Sequence, residues 1–189
     1  MLKHSLMCLT GLLLVLVLGG CATSGQTTPA GKRQALLEMK QEVLAELYRV
    51  NASARSSIAS APGYAVFSNA NVNLILASFS GGQGVVQDNR TGRHTFMKMG
   101  EAGLGLGLGV KDFRAVFVFH DRETLQQFID SGWEFGAHAD AAAKAGEKGA
   151  AVGGEVVADG VTIYQLTESG LALQATLKGT RYWKDAELN

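Results

Sequence analysis

Gly103-Leu104-Gly105-Leu106-Gly107-Leu108-Gly109-Val110 carries glycine at every second position, with Leu or Val between. A period of two belongs to a β-strand, so one face of this stretch is aliphatic and the other is nearly bare backbone. It is not a nucleotide loop. A dinucleotide fingerprint needs glycines at i, i+2 and i+5 between a strand and a helix, and a P-loop ends in Gly-Lys-Ser/Thr after a four-residue gap. Neither spacing occurs in the chain. Because glycine weakens a strand interior, so many in one strand indicate either a strongly curved sheet or direct approach of a ligand to the backbone. The alternation predicts that Leu104, Leu106, Leu108 and Val110 enter the core. Gly103, Gly105, Gly107 and Gly109 then face a covering helix or a bound chain.

The flanks of this strand extend the pattern. Downstream, Lys111-Asp112-Phe113 predicts a hairpin into a strand over Arg114–Phe119. Upstream, after Pro62-Gly63, short apolar or alternating runs over Tyr64–Phe67, Val72–Phe79, Gly84–Gln87 and Arg93–Met99 read as strands. Asp88-Asn89-Arg90-Thr91-Gly92 supplies turn chemistry for a hairpin between the last two. Consecutive short strands joined by tight turns imply an antiparallel sheet. One helix interrupts it, over Glu123–Asp130, with Asp121 as cap, Leu125, Phe128 and Ile129 as its apolar stripe, and Gly132 as its stop. Strands resume at Trp133–His138, Val161–Leu166 and Leu171–Leu177, the last two joined by Glu168-Ser169-Gly170. Ala139–Gly154 is compatible with a short helix, a loop or extended chain.

Ahead of the sheet lies a helical pattern from Lys32 to about Asn51. Leu36, Leu37, Val43, Leu44, Leu47 and Tyr48 fall within one arc, and Glu38, Glu42 and Glu46 form a row on the other side. A helix resting on anionic lipid carries Lys and Arg on its polar face. This row of carboxylates therefore predicts a helix packed on the domain. Lys40 falls inside the apolar arc, where its stem is expected to pack while its head snorkels out. A stretch of small residues follows, through Ser53, Ser56, Ser57 and Ser60.

The first twenty residues combine a basic start at Lys3, an apolar run from Leu9 to Leu18, and Leu18-Gly19-Gly20-Cys21. This is a signal peptide, too short to span a membrane in the mature protein. It resembles a bacterial lipobox, in which the residue after the cut is an acylated Cys. Two or more acyl chains anchor stably where one binds only marginally. Residues 1–20 thus read as a lipoprotein signal peptide, Cys21 as the diacylglycerol- and palmitate-type anchor, residues 21–31 as a flexible tether, and residues 32–189 as one domain. Ala22 after the Cys resembles the signal for release to the outer membrane, facing the periplasm.

Composition narrows the function classes. Apart from Cys8 in the signal and Cys21 the chain has no cysteine, so disulfides and thiolate metal sites are excluded. Losing Lys3 takes the 17 basic side chains to 16 against 17 acidic, a balance poorly suited to non-specific nucleic-acid binding. His138 and Asp140 would share a strand face as metal ligands, but no third ligand stands at motif spacing. There is no Gly-x-Ser-x-Gly elbow. No catalytic residue, cofactor or metal is assigned.

The order of the pieces resembles a SYLF domain, a lipid-binding family. The matching stretches are the N-terminal helix, Pro62-Gly63-Tyr64-Ala65-Val66-Phe67, Gly81-Gly82-Gln83-Gly84-Val85-Val86, the Gly103–Gly109 alternation, and Val116-Phe117-Val118-Phe119. They continue with Phe128, Trp133-Glu134-Phe135-Gly136, Gly170-Leu171 and Lys178-Gly179. Ser68 departs from the Pro often found there, and the acidic helix row departs from the family's basic N-terminus. The resemblance implies an α+β fold, a curved, mostly antiparallel β-sheet or partial barrel with an N-terminal helix and one inserted helix packed on it. It also implies phospholipid binding. Lys111 and Arg114 bracket Phe113 at a hairpin tip, where the ring either dips into a membrane interface or enters the core. Lys178, Arg181 and Lys184 surround Tyr182 and Trp183, as a second head-group cluster or as a solvated C-terminal end.

The expected function is a non-enzymatic, membrane-anchored lipoprotein binding phospholipid in envelope maintenance. The alternative is a structural protein that docks another envelope component without lipid selectivity.

Overall fold

A computed structural model describes residues 28–69, 81–101, 114–135, 155–158, 160–167, 170–171 and 180–189. The Gly103–Val110 strand, Val72–Phe79, Ala139–Gly154, Cys21 and the signal lie outside the described residues. In chain order the elements are α1 (Pro29–Val50), α2 (Ala54–Ser60), β1 (Gly63–Ser68), β2 (Gly81–Asp88), β3 (His94–Glu101) and β4 (Arg114–Phe119). Then follow α3 (Arg122–Ser131), β5 (Trp133–Phe135), β6 (Glu155–Ala158), β7 (Val161–Thr167), β8 (Gly170–Leu171) and β9 (Thr180–Lys184). The fold is α+β, with a curved antiparallel sheet as expected.

α1 begins three residues ahead of the predicted start. Thr28 Oγ1 accepts the Gly31 N–H at 3.1 Å, and Pro29 occupies the first turn, where its missing N–H is no loss. The serine-rich stretch holds a helix that periodicity did not reveal. α2 has only seven residues, and just Ala54 and Ile58 are buried, too few to show a period.

The strands run β5-β9-β3-β2-β1-β4-β7-β6, with β8 paired to β7, and every described pairing is antiparallel. The β2–β3 hairpin forms as predicted. Asp88 Oδ1 accepts the N–H groups of Arg90 and Thr91, and Gly92 turns the chain at φ 70°. α3 also matches its prediction. Asp121 accepts the Thr124 N–H at 2.7 Å, and Gly132 ends the helix at φ 70°.

Two expectations are corrected. β4 is paired along all six residues with β1 on one side and β7 on the other, so neither of its edges is open to the hairpin partner expected from sequence. Within the C-terminal aromatic and basic cluster, Thr180–Lys184 form a strand, β9, paired with β3 on one side and β5 on the other. Turn chemistry marks where a chain can reverse, but which edge the returning strand takes is settled by the rest of the sheet.

Both faces of the sheet are covered, so β1 is buried at all six residues and reads as a continuous apolar run rather than an alternation. On one face Tyr64, Val66, Val85, Phe96, Val116 and Val118 pack against Leu36, Val43 and Leu47 of α1 and Ile58 of α2. On the other, Phe67, Phe117, Phe119 and Tyr182 pack against Leu125, Phe128 and Ile129 of α3. Phe67 and Tyr182 meet edge-on with centroids 4.6 Å apart, and Phe67 and Phe117 at 5.7 Å. Each such pair contributes about 0.5–1.5 kcal/mol beyond burial.

Glycine shows its use within this second layer. Gly84 sits directly across from Phe67, and a Cβ there would overlap the Phe67 ring and the Val66 carbonyl. The bare patch of β2 is where an aromatic side chain lies on the neighbouring backbone.

Candidate functional site

Strand register creates an unusual polar row. Tyr64 of β1 is paired with Gln87 of β2, and Gln87 with His94 of β3, so the three side chains share the face covered by α1. α1 places Lys40 on this row. Lys40 Nζ donates to Gln87 Oε1 at 2.6 Å, lies 3.1 Å from His94 Nε2, and stands 5.9 Å from the centre of the Tyr64 ring. The Tyr64 hydroxyl donates to the same Gln87 oxygen at 2.9 Å.

Lys40 is only 8% exposed, which corrects the expectation that its head snorkels out. Snorkelling is unnecessary because two neutral acceptors, Gln87 Oε1 and His94 Nε2, and the face of the Tyr64 ring meet the ammonium inside. No carboxylate joins them among the described residues. Burial therefore lowers the Lys40 pKa, and burial together with the Lys40 charge lowers that of His94. The Tyr64 hydroxyl is pushed up to about 12, chiefly by burial.

His94 also reaches a surface cleft of about 460 Å³. Its titratable side chains, Arg33, Arg93, His94 and Lys184, are all of basic type, and Phe96 and Leu188 provide apolar wall. The C-terminal segment builds one side. Asn189 Oδ1 accepts the Phe96 N–H at 3.0 Å and Asn189 Nδ2 donates to the Phe96 carbonyl at 2.7 Å, in the manner of a strand pairing. α1 is tied to this segment by Lys32 and Glu187 at 2.9 Å and by Arg33 Nε donating to the Leu188 carbonyl at 2.8 Å. Arg33 and Arg93 form no ion pair among the described residues. Lys184 has Asp130 Oδ1 at 3.6 Å, with both side chains well exposed.

Of the residues singled out from sequence, Lys184 lies in this cleft. Arg181, on the same strand, is exposed and faces Glu134 across the β5–β9 pair. Arg114 is elsewhere. It starts β4, pairs with Glu46 of α1, and lines a small cavity with Met39, Glu42 and Ser68. Four interstrand steps separate β4 from β9, about 19 Å along the sheet. Tyr182 is fully buried in the aromatic layer rather than at an interface. Lys111, Phe113, Lys178, Gly103, Gly105, Gly107, Gly109, His138 and Asp140 lie outside the described residues. Asp121 acts as the α3 cap, and His120 Nε2 is 2.7 Å from Thr162 Oγ1. Among the described residues no three His, Cys, Asp or Glu side chains cluster as metal ligands. None of the described helices is long and apolar enough to cross a membrane.

Sequence reading missed Arg33, Lys40, Gln87, Arg93 and His94 as a group. A signal was present. The turn at Asp88–Gly92 fixes Gln87 opposite His94, and both Lys40 and Arg33 fall within the apolar arc of α1.

Comparison with known proteins decides the family. Residues 100–189 match the family model Ysc84, described as a Las17-binding protein actin regulator. Over 156 residues the chain is 36% identical to beta cell expansion factor A of Aeromonas veronii. This protein belongs to the SYLF family. The alignment with the Aeromonas relative covers 82% of the SYLF protein described here but 58% of the relative's own length.

Proposed function

We propose that this SYLF protein is a membrane-anchored lipoprotein that binds anionic phospholipid, without catalysing a reaction, in maintenance of the bacterial envelope. The observation that carries the reading is the cleft in which every titratable lining side chain is of basic type and Phe96 and Leu188 offer apolar contact. A phosphate head group meets guanidinium and ammonium donors there while its glycerol and first methylenes meet the apolar wall. Cys21 supplies the anchor, holding the domain against an outer membrane from the periplasmic side. Near-neutral overall charge supports local recognition of a head group over general attraction to a charged surface.

The test separates binding from anchoring. The mature chain from residue 21, carrying Cys21→Ser so that no acyl group is added, is floated with vesicles of phosphatidylcholine alone or mixed with phosphatidylglycerol. Flotation with the anionic vesicles alone is expected. Failure to float with either removes lipid binding by the domain and leaves a docking role for an envelope protein.

A further inference from the structure

The buried cluster and the cleft meet in a single side chain, His94. Its Nε2 points inward to Lys40 and Gln87, and its ring lines the cleft beside Arg33, Arg93 and Lys184. An ammonium has no lone pair to offer, so at 3.1 Å it donates to His94 Nε2, and the 3.2 Å approach of Nε2 to Gln87 Oε1 is then a contact between two acceptors that share the Lys40 ammonium. Which imidazole nitrogen carries the proton is fixed by the bond the other one makes. The proton of neutral His94 is therefore on Nδ1, which makes no hydrogen bond among the described residues.

We propose that the cleft is an oxyanion site in which His94 is a neutral Nδ1–H donor, held in that tautomer by Lys40, while Arg33, Arg93 and Lys184 provide the charge. This rests on the phospholipid reading and names the site within it. The recognised chemistry is a phosphate-like oxyanion, whether in a lipid head group or free in solution. Lys40 acts as a positioning residue, since it touches His94 and not the ligand.

The groups around His94 are consistent with this assignment. α1 contributes Lys40 and Arg33, β1 the Tyr64 hydroxyl, β2 the neutral Gln87, the turn just before β3 Arg93, and β9 Lys184. The carboxylate of Asp130 faces Lys184 from α3 on the exposed rim and also feels the charge of Arg93. Protonating His94 would set a second cation against Lys40, so the ring stays neutral where an ordinary histidine titrates. Anion binding should accordingly be almost independent of pH from about 6 to about 8.

The experiment is imidazole ¹⁵N NMR on the mature Cys21→Ser chain, titrated from about pH 5 to about pH 8 with and without sulfate, whose charge is constant over that range. His94 is expected as the Nδ1–H tautomer, titrating below the ordinary histidine range, and sulfate is expected to shift its Nδ1 resonance. Sulfate affinity should change less than about twofold across the range. In Lys40→Met it should rise several-fold on acidification, because His94 is released to become a cation, and Lys40→Arg should restore the flat profile. An Nε2–H tautomer, or ordinary titration of His94 in the unmodified site, overturns the proposal without recourse to any variant. If sulfate leaves His94 unmoved while phosphatidylglycerol vesicles still bind, the site is wrong and the phospholipid reading stands. If sulfate and inorganic phosphate shift His94 but vesicles do not bind, the site stands and its ligand is a free oxyanion.

Discussion

Lys40 Nζ lies 3.1 Å from His94 Nε2 within the packing between α1 and the sheet, and among the described residues no carboxylate neutralises the pair. A buried ammonium met only by neutral acceptors carries a desolvation penalty that hydrogen bonds offset incompletely. The fold tolerates a charge in its core beside a surface cleft that is itself basic.

The first prediction follows from the penalty. Lys40→Met keeps the stem volume and leaves Gln87 its bond from Tyr64, so at neutral pH the variant should be as stable as the original or more so, by up to about 2 kcal/mol. The folded-state pKa of Lys40 lies below its ordinary value of 10.5, so the penalty is complete at low and neutral pH and fades as pH rises through the folded value. Urea denaturation should therefore show the Lys40→Met advantage shrinking towards alkaline pH. Destabilisation by more than about 2 kcal/mol at neutral pH would show that the ammonium bonds outweigh its desolvation.

Asp88 predicts an acid limb. It holds the β2–β3 turn through Arg90 and Thr91 and is bonded to Arg122 of α3 at 3.0 Å, which together bring its carboxyl down to about 2. A depressed carboxylate contributes above its ordinary value of 3.8 and loses that contribution as pH falls towards about 2. Arg122 is 39% exposed, so solvent screening reduces the pair, and Asp88→Ala should cost about 1–2 kcal/mol at neutral pH. The variant should also show a shallower stability loss between pH 4 and pH 2 than the unmodified chain; parallel acid profiles would contradict the assignment.

Two glycines separate steric from conformational demand. Gly84→Ala places a Cβ against the Phe67 ring and the Val66 carbonyl and should cost about 2–3 kcal/mol. Gly92→Ala meets nothing within 4 Å, but its φ of 70° disfavours a side chain, so about 1 kcal/mol is expected. Thermal melts should rank the pair in that order, and the reverse ranking would mean that the aromatic layer yields readily.

Much of this fold was legible in the sequence, and the failures have physical causes. The turn at Asp88–Gly92 and the capped helix after Asp121 were readable because their determinants are local: an Asx side chain, a glycine stop, an apolar stripe. β9 was not, because Thr180–Lys184 becomes a strand only through its neighbours β3 and β5. The cleft was read in part. Lys184 was named from its basic surroundings, whereas Arg33, Arg93 and His94 come from three separated segments that only strand register and helix docking unite.

Arg114 illustrates the same limit. Sequence placed it beside an aromatic as a head-group ligand, while the folded chain pairs it with Glu46 on α1. Arg114→Gln should lower stability by about 1 kcal/mol, and a double-mutant cycle with Glu46→Gln should recover coupling of similar size. Zero coupling would release Arg114 for a role at the membrane.

The most direct test of the account reverses charge in the cleft. Flotation of the mature Cys21→Ser chain with phosphatidylglycerol vesicles is compared with that of Arg93→Glu and of Arg49→Glu, an equal charge change on the exposed end of α1 away from the cleft. Arg93→Glu should lose at least tenfold in vesicle affinity while Arg49→Glu stays within about twofold of the unmodified chain. Equal loss in both, or in neither, would contradict a head-group site at Arg33, Arg93, His94 and Lys184.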